Sequence, residues 1–412
     1  MTNSDTKNFS QNVSSSYHLE DRGKCNKNTC ANARNVPKLR FKGYNDEWVE
    51  KRIEKVLKIK HGKDQKAIEN NDGIYPILAT SGEIGRSNTF LWDKPCVLIG
   101  RKGTINKPQY MDTPFWTVDT LFYSDVFQNN NAKYLYYLFN TINWKKYDES
   151  TGVPSLSAKT IERIKIKISN NLREQEKIAS FLTLIDKKIE KQKELVELLK
   201  KYKRGLLSAI FSQKMRFKDD NGNNYPAWEE KRLGDICKIV GGGTPDTNNV
   251  KYWGDDINWF TPTEIIKKYA DSSNRKISRL GLLKSSAKIL PIGTVLLTTR
   301  ATLGEMSILS IEATTNQGFQ SLIPVKDEVS SEFIYYCQPI IKHFCYKYAN
   351  GSTFLEISKQ TLAKLKLMIP NKDEQNKISD FLSKFDNKIQ QEECILSNLK
   401  TYKKGLLQQM FI

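Results

Sequence analysis

The sequence predicts an α+β fold: two tandem mixed α/β domains separated by two long helices that pair as an antiparallel coiled coil, with pseudo-twofold symmetry. Three observations predict it. The stretch from Arg173 to Ser212 recurs as Asp373 to Ile412, 200 positions later and without a gap. Both copies carry a narrow apolar stripe at helical spacing. The segments before each copy mix short strand-like runs with helical ones, and they share a weaker likeness to each other. Self-similarity over such a period indicates duplication of a folding unit.

In chain order, residues 1–36 are polar and read as a disordered leader. They lack the apolar core of a signal peptide, and no run of ~18 apolar residues follows that would span a membrane. A cytoplasmic location and no membrane association are therefore expected. The first domain is expected over 37–172 and the second over 213–372. They open alike: "LRFKGYNDEWVEKRIEKVLKI" from Leu39 and "MRFKDDNGNNYPAWEEKRLGDICKI" from Met215 align Trp48, Glu50, Lys51 and Arg52 with Trp228, Glu230, Lys231 and Arg232. Short apolar runs, "CVLIG" and "TVLLTT", read as strands. "IKIKIS" and "LKLMIP" alternate with period two, as half-buried strands do. "AKYLYYLFNTINWKKY" and "SEFIYYCQPIIKHFCYKY" carry helical spacing, and Pro339 should bend or end the second early. Between these frame pieces the two centres diverge.

The repeated stretches, 173–212 and 373–412, read as spacer helices. Their apolar residues step mostly by four and three, the signature of a paired-helix seam. The seam comprises Ile178, Leu182, Ile185, Ile189, Val196 and Leu199 in the first copy, and Ile378, Leu382, Phe385, Ile389, Leu396 and Leu399 in the second. One polar residue interrupts each copy near its middle, Gln192 and Glu392. If the helices run antiparallel, these two should meet and help fix register. Gly205 and Gly405 read as C-terminal stops, giving helices of ~30 residues and ~45 Å. The chain's own C-terminus would then return toward the first domain.

Candidate chemistry is sparse. There are only three His, and seven Cys at irregular spacing without a Cys-x-x-Cys pair. No metal site and no Ser/His/Asp constellation is expected. No phosphate-binding loop is present. "VGGGTPD" from Val240 lacks the lysine and following helix such a loop needs, and reads as a place of close backbone approach. No catalytic residue is assigned. The net charge of +19 favours a polyanionic partner. Arg and Lys can address guanine, and Asn and Gln adenine. Candidate nucleic-acid contacts are Ser81, Arg86, Arg101, Lys102 and Thr104 in the first domain. In the second they are Thr244, Asn248, Lys251, Thr263, Arg300, Thr302, Asn316 and Gln317. The loops "STGVPS" from Ser150 and "NGSTFL" from Asn350 recur at matching places and read as frame elements.

Two variable domains, each followed by a helix bearing Glu174-Gln175, Phe181-Leu182, Asp186 and Lys203 to Leu207 or their second-copy equivalents, resemble the specificity subunit of type I restriction–modification enzymes. The resemblance covers Pro37 to the C-terminus. Trp228 to Ile236 keep the family's opening motif, whereas "VEKRIEKVLKI" after Trp48 departs from it. "GGGTP" also occurs only in the second half, which implies an altered opening loop in the first. The resemblance implies that each domain is a target recognition domain reading one half of a bipartite, asymmetric site on double-stranded DNA. The helices would serve as spacer and ruler. It implies no cofactor in this chain. It implies as partners two modification subunits using S-adenosylmethionine to methylate adenine, and two restriction subunits using ATP and magnesium. A stand-alone DNA methyltransferase and a coiled-coil scaffold without sequence preference are the alternatives. The missing catalytic motifs weigh against the first, and divergence confined to the centres against the second.

Overall fold

The computed structural model describes residues 35–300, 302–350 and 356–412, together with the backbone of Leu19–Asp21. The rest of the expected leader, including Cys25, Cys30 and His18, lies outside the described residues. So does the "NGSTFL" loop beyond Asn350. The chain forms two compact units, Met1–Val196 with Gln391–Ile412 (unit 1) and Glu197–Gln390 (unit 2).

Unit 1 runs β1 (Leu19–Asp21), β2 (Leu39–Phe41), β3 (Val49–Arg52), β4 (Leu57–Lys60), β5 (Tyr75–Ala79), β6 (Gly82–Ser87), β7 (Cys96–Gly100), β8 (Gln109–Met111), β9 (Trp116–Thr117), β10 (Leu121–Val126), α1 (Ala132–Phe139), α2 (Ala158–Arg163), β11 (Lys165–Ile168) and the first part of α3 (Leu172–Phe211). Its larger sheet has the order β4-β10-β7-β8, all antiparallel. The continuous apolar run of β7 lies inside this sheet and is buried throughout. A smaller sheet has the order β6-β5-β9, with β5 and β9 parallel. β3 and β11 pair antiparallel and tie the start of the domain to its end. Alternation in β11 buries Ile166 and Ile168 and turns Lys165 outward. β1, within the stretch expected as a leader, pairs with β2.

Unit 2 runs from the last part of α3 through β12 (Glu229–Arg232), α4 (Leu233–Ile236), β13 (Cys237–Gly241), β14 (Trp253–Phe260), β15 (Tyr269–Ala270), β16 (Arg275–Ile277), α5 (Arg279–Leu283), β17 (Val295–Leu297), β18 (Met306–Leu309), β19 (Ala313–Thr315), β20 (Gln320–Pro324), α6 (Ser331–Tyr336), α7 (Gln338–Tyr348), α8 (Lys359–Ala363) and β21 (Lys366–Ile369) into the first part of α9 (Lys372–Met410). Its larger sheet, β13-β20-β17-β18-β15, repeats the order of unit 1 and adds β15 at the edge. The small sheet β16-β14-β19 repeats the antiparallel hairpin and the parallel third strand. β12 and β21 repeat the closing pair. Pro339 falls in the first turn of α7, where a missing N–H costs nothing, and the chain breaks helix at Cys337.

The opening motif that departs from the family pattern keeps its packing. Ile53 and Val56 are buried three apart in unit 1, as Leu233 and Ile236 are in unit 2.

Inside unit 1, α3 and the last part of α9 pack antiparallel: Asp186 binds Lys403 at 2.5 Å, and Gln192 Nε2 donates to Glu392 Oε2 at 2.6 Å. Inside unit 2 the same pattern recurs, with Lys203 on Asp386 and Tyr202 against Phe385. The seam residues Ile178, Leu182, Ile185, Val196, Ile378, Leu382, Ile389 and Leu399 are buried, and Ile189, Leu199, Phe385 and Leu396 are partly so.

The expected glycine stops are corrected by the structure. α3 continues through Gly205 to Phe211 and α9 through Gly405 to Met410, giving 40 and 39 residues rather than about thirty. Neither glycine takes the left-handed conformation of a C-terminal cap. Burial past the glycines explains the continuation. Leu206 and Ile210 enter the core of unit 2, and Leu406, Met410 and Phe411 enter that of unit 1. Burying such side chains contributes ~1.5–3 kcal/mol each, against ~1 kcal/mol for one glycine inside a helix.

Candidate nucleic-acid interface

The frame around each loop edge is built from the repeated residues. In unit 1, Glu174 is fully buried and accepts from Arg40 Nε at 2.6 Å and Nη2 at 2.9 Å. In unit 2, Glu374 accepts from Arg216 Nε and Nη2, both at 2.8 Å, and from Trp228 Nε1 at 3.0 Å. The next residue holds the helix that follows the sheet. Gln175 Oε1 accepts from Asn131 N at 2.8 Å, and Gln375 Oε1 from Ser330 N at 2.9 Å. Asn131 and Ser330 are themselves the N-caps of α1 and α6. The Glu-Gln pair therefore ties the start of each domain, and the cap of the helix that follows its sheet, to the long helix. Tyr137 Oη donates to Asp186 at 2.8 Å and Tyr336 Oη to Asp386 at 2.6 Å. Burial, with the facing carboxylate, holds both phenols well above their usual range, so they remain donors.

On this frame, loops converge at one edge of each unit. In unit 1 the turn at Thr80-Ser81 approaches the loop after β7, where a side chain on Gly103 would meet Thr80 Oγ1 at 3.8 Å. Gly103 N donates to Pro154 O at 2.8 Å, and Leu156 N to Arg101 O at 2.8 Å, so the "STGVPS" loop joins the cluster. Ser81, Lys102 and Thr104 are exposed there, and Arg101 is ion-paired with Asp119. Arg86 stands apart, at the other end of the β5–β6 hairpin, paired with Glu83 at 3.0 Å.

In unit 2 the "GGGTP" loop, the 261–264 turn, residues 298–300 and 302–305, and the 316–319 turn converge. Thr244 Oγ1 donates to Gln317 Oε1, and Thr302 Oγ1 to Pro262 O at 3.2 Å. Asn316 Oδ1 accepts from Gly318 N at 2.8 Å, and Thr263 is exposed beside them. Arg300 lies in the loop three residues past β17, Arg101 directly after β7; Arg300 binds Glu356 at 2.7 Å. Asn248 and Lys251 lie farther along the loop and are exposed. Indole N–H groups hold this loop from below: Trp259 Nε1 donates to Gly243 O at 2.9 Å and Trp253 Nε1 to Asp246 O at 3.2 Å.

The triple glycine does provide close approach. A Cβ on Gly242 would sit 2.0 Å from Asn316 O. Unit 1 meets the same demand with one glycine, since a Cβ on Gly62 would sit 2.2 Å from Val118 O. Sequence reasoning missed Gly62, Arg40, Arg216 and Arg275. The repeat itself carried a signal for the two frame arginines, which align in "LRFK" and "MRFK". Among the described residues no group of His, Cys, Asp and Glu could hold a metal ion. No helix among them is long and apolar enough to cross a membrane.

Fold and loop edges together define a duplicated α+β module, each copy presenting its own polar loops on a common frame. The family model described as "Type I restriction modification DNA specificity domain" matches residues 45–200 and 226–401, and the chain belongs to that family. It is 36% identical over 194 residues to a type I restriction enzyme specificity subunit of Methanocaldococcus jannaschii, covering 46% of this chain and 45% of that one. It is 26% identical over 270 residues to a counterpart from Escherichia coli, covering 62% of this chain and 63% of that one. The matched region thus spans about half to under two thirds of these relatives' length. A type I restriction–modification S subunit from M. genitalium shares the fold with a TM-score of 0.60 at 18% identity, over 92% of this chain and 99% of the other. A chain from a study of type I complex assembly and conformational transition shares it at 0.54 and 15% identity, over 88% and 97%.

Proposed function

We propose that this chain is the DNA-reading subunit of a type I restriction–modification complex. Each unit reads one part of a bipartite, asymmetric site and directs partner subunits to methylate adenine there or to cut unmodified DNA. The observation that carries this reading is the contrast within the duplication. Sheet order, closing strand pair and Glu-Gln clamp recur in both units, while the loops on the matching edges differ in length and polar residues. A repeated frame with divergent loop edges is what two independently specified readers require. The net charge of +19 suits the sequence-neutral attraction to phosphates that accompanies such reading. S-adenosylmethionine, ATP and magnesium belong to the partner subunits in this reading, two for modification and two for restriction.

The test is to express the chain with its modification partner and map methylated adenines across the genome. Exchanging residues 37–172 for those of a relative should replace one half of the methylated motif and leave the other. Replacement of both halves, or methylation without a motif, would overturn the proposal.

A further inference from the structure

The arginines singled out from the sequence are all engaged. Arg86 holds Glu83, Arg101 holds Asp119 and Arg300 holds Glu356. Arg275 differs. Its guanidinium carbon lies 3.6 Å from the centre of the Trp253 ring and 5.5 Å from that of Trp259. The two indoles meet edge to face at 5.1 Å and 87°. Stacking occupies a face of the guanidinium and leaves its N–H donors at the rim. Among the described residues no carboxylate or carbonyl takes those donors, and the residue is exposed on β16.

The same indoles that hold Arg275 also hold the "GGGTP" loop, through Gly243 O and Asp246 O. Arg275 and Thr244 are thus set by one pair of side chains. Across the hairpin Arg275 faces Trp259. The matching hairpin of unit 1 places Gly85 across from Ile77, so the device is confined to unit 2. A frame residue would recur, whereas a reader specific to one half would not.

We propose that Arg275 is a specificity-determining residue of unit 2, held flat on Trp253 to donate two hydrogen bonds to the acceptor edge of a guanine in the DNA major groove. A phosphate contact needs only a cation near an oxygen. An arginine reading guanine must hold its planar fork in a fixed orientation to match O6 and N7 together, and that is what the stack supplies. The inference rests on the DNA-reading function proposed above.

The test uses the full chain with its modification partner. The DNA probes are duplexes carrying the mapped motif and each single base-pair change in it. Arg275→Ala should weaken binding to the motif by roughly 5- to 150-fold. The loss should be confined to one G·C pair of the half-site read by unit 2, a pair the variant no longer discriminates. Discrimination across the other half-site should be unchanged. Arg275→Lys keeps the charge and loses the fork. It should discriminate that G·C pair less well than the wild type, since lysine neither stacks on Trp253 nor presents the fork, while the slope of affinity against salt stays as in the wild type.

An equal loss on all duplexes with a salt slope lower by about one would make Arg275 a phosphate contact and overturn the proposal. Unchanged discrimination, or losses in both half-sites, would overturn it too. Failure of the underlying reading looks different: the wild-type chain itself would then bind motif and altered duplexes equally.

Discussion

The ion pair between Arg40 and Glu174 gives the sharpest stability prediction. Its side chains are 1% and 0% exposed, and Ser169 Oγ also donates to Glu174. Glu174→Gln keeps shape and volume but leaves the Arg40 guanidinium charged and buried without its counter-ion. Breaking a buried pair from one side costs ~3–5 kcal/mol, a large share of the ~5–15 kcal/mol that holds a domain folded. For a unit of this size the melting temperature should fall by about 6–20 °C. Replacing both partners, Arg40→Met with Glu174→Leu, removes both desolvated charges and should restore most of the loss. Arg216, the equivalent in unit 2, is 27% exposed. Water can reach it, so Glu374→Gln should cost less than Glu174→Gln.

The assay is urea unfolding of the full chain, with hydrogen exchange followed in the closing strands. Amides of Val49–Arg52 and Lys165–Ile168 report unit 1, and those of Glu229–Arg232 and Lys366–Ile369 serve as the internal control. Glu174→Gln should deprotect the first set only. A Glu174→Gln chain within about 1 kcal/mol of wild type would refute the reasoning. So would a double variant as unstable as the single one.

Four further outcomes are expected. Gln192→Leu removes a 2.6 Å hydrogen bond to the buried Glu392 carboxylate and should cost about 1.5–3 kcal/mol by urea unfolding. Gly242→Ala places a Cβ 2.0 Å from Asn316 O, and Gly62→Ala one 2.2 Å from Val118 O; in binding to altered duplexes each should impair one half-site, a different one in each case. Among the described cysteines Cys394 is exposed, whereas burial pushes the Cys96 and Cys237 thiols up to about 12. Iodoacetamide at mildly alkaline pH should therefore alkylate Cys394 and spare those two, as read by peptide mass. Adding one heptad to both long helices adds ~10 Å and should widen the gap in the methylated motif by about three base pairs.

Much of the frame was legible because duplication prints its contacts twice. Glu174-Gln175, Tyr202-Lys203 and Gly205 to Leu207 recur as identities, and their roles are those of clamp and helix-end packing. The helix ends were misread for a physical reason. Local propensity marks Gly205 and Gly405 as breakers, but Leu206, Ile210, Met410 and Phe411 are buried by cores that only tertiary structure reveals. Strand order was not legible either. The parallel pairs β5–β9 and β14–β19 join segments far apart in sequence, and no local period encodes them. Residue type alone singles out Arg86, Arg101 and Arg300, because an arginine held by a carboxylate looks the same in a sequence as a free one. Arg275 was passed over because its indole platform forms only when the hairpin sets it across from Trp259.

The division of the chain into units bears on its synthesis. Unit 2 is one uninterrupted segment and has all its residues once position 390 has been made. Unit 1 begins first but also needs Gln391–Ile412, whose Phe411 ring packs at 6.1 Å from Trp48 and 5.4 Å from Tyr134. On the ribosome, the domain translated first is therefore finished last. Until Phe411 emerges, the nascent chain holds Trp48 and Tyr134 without their closing partner, and a product terminated before it would lack both ring contacts.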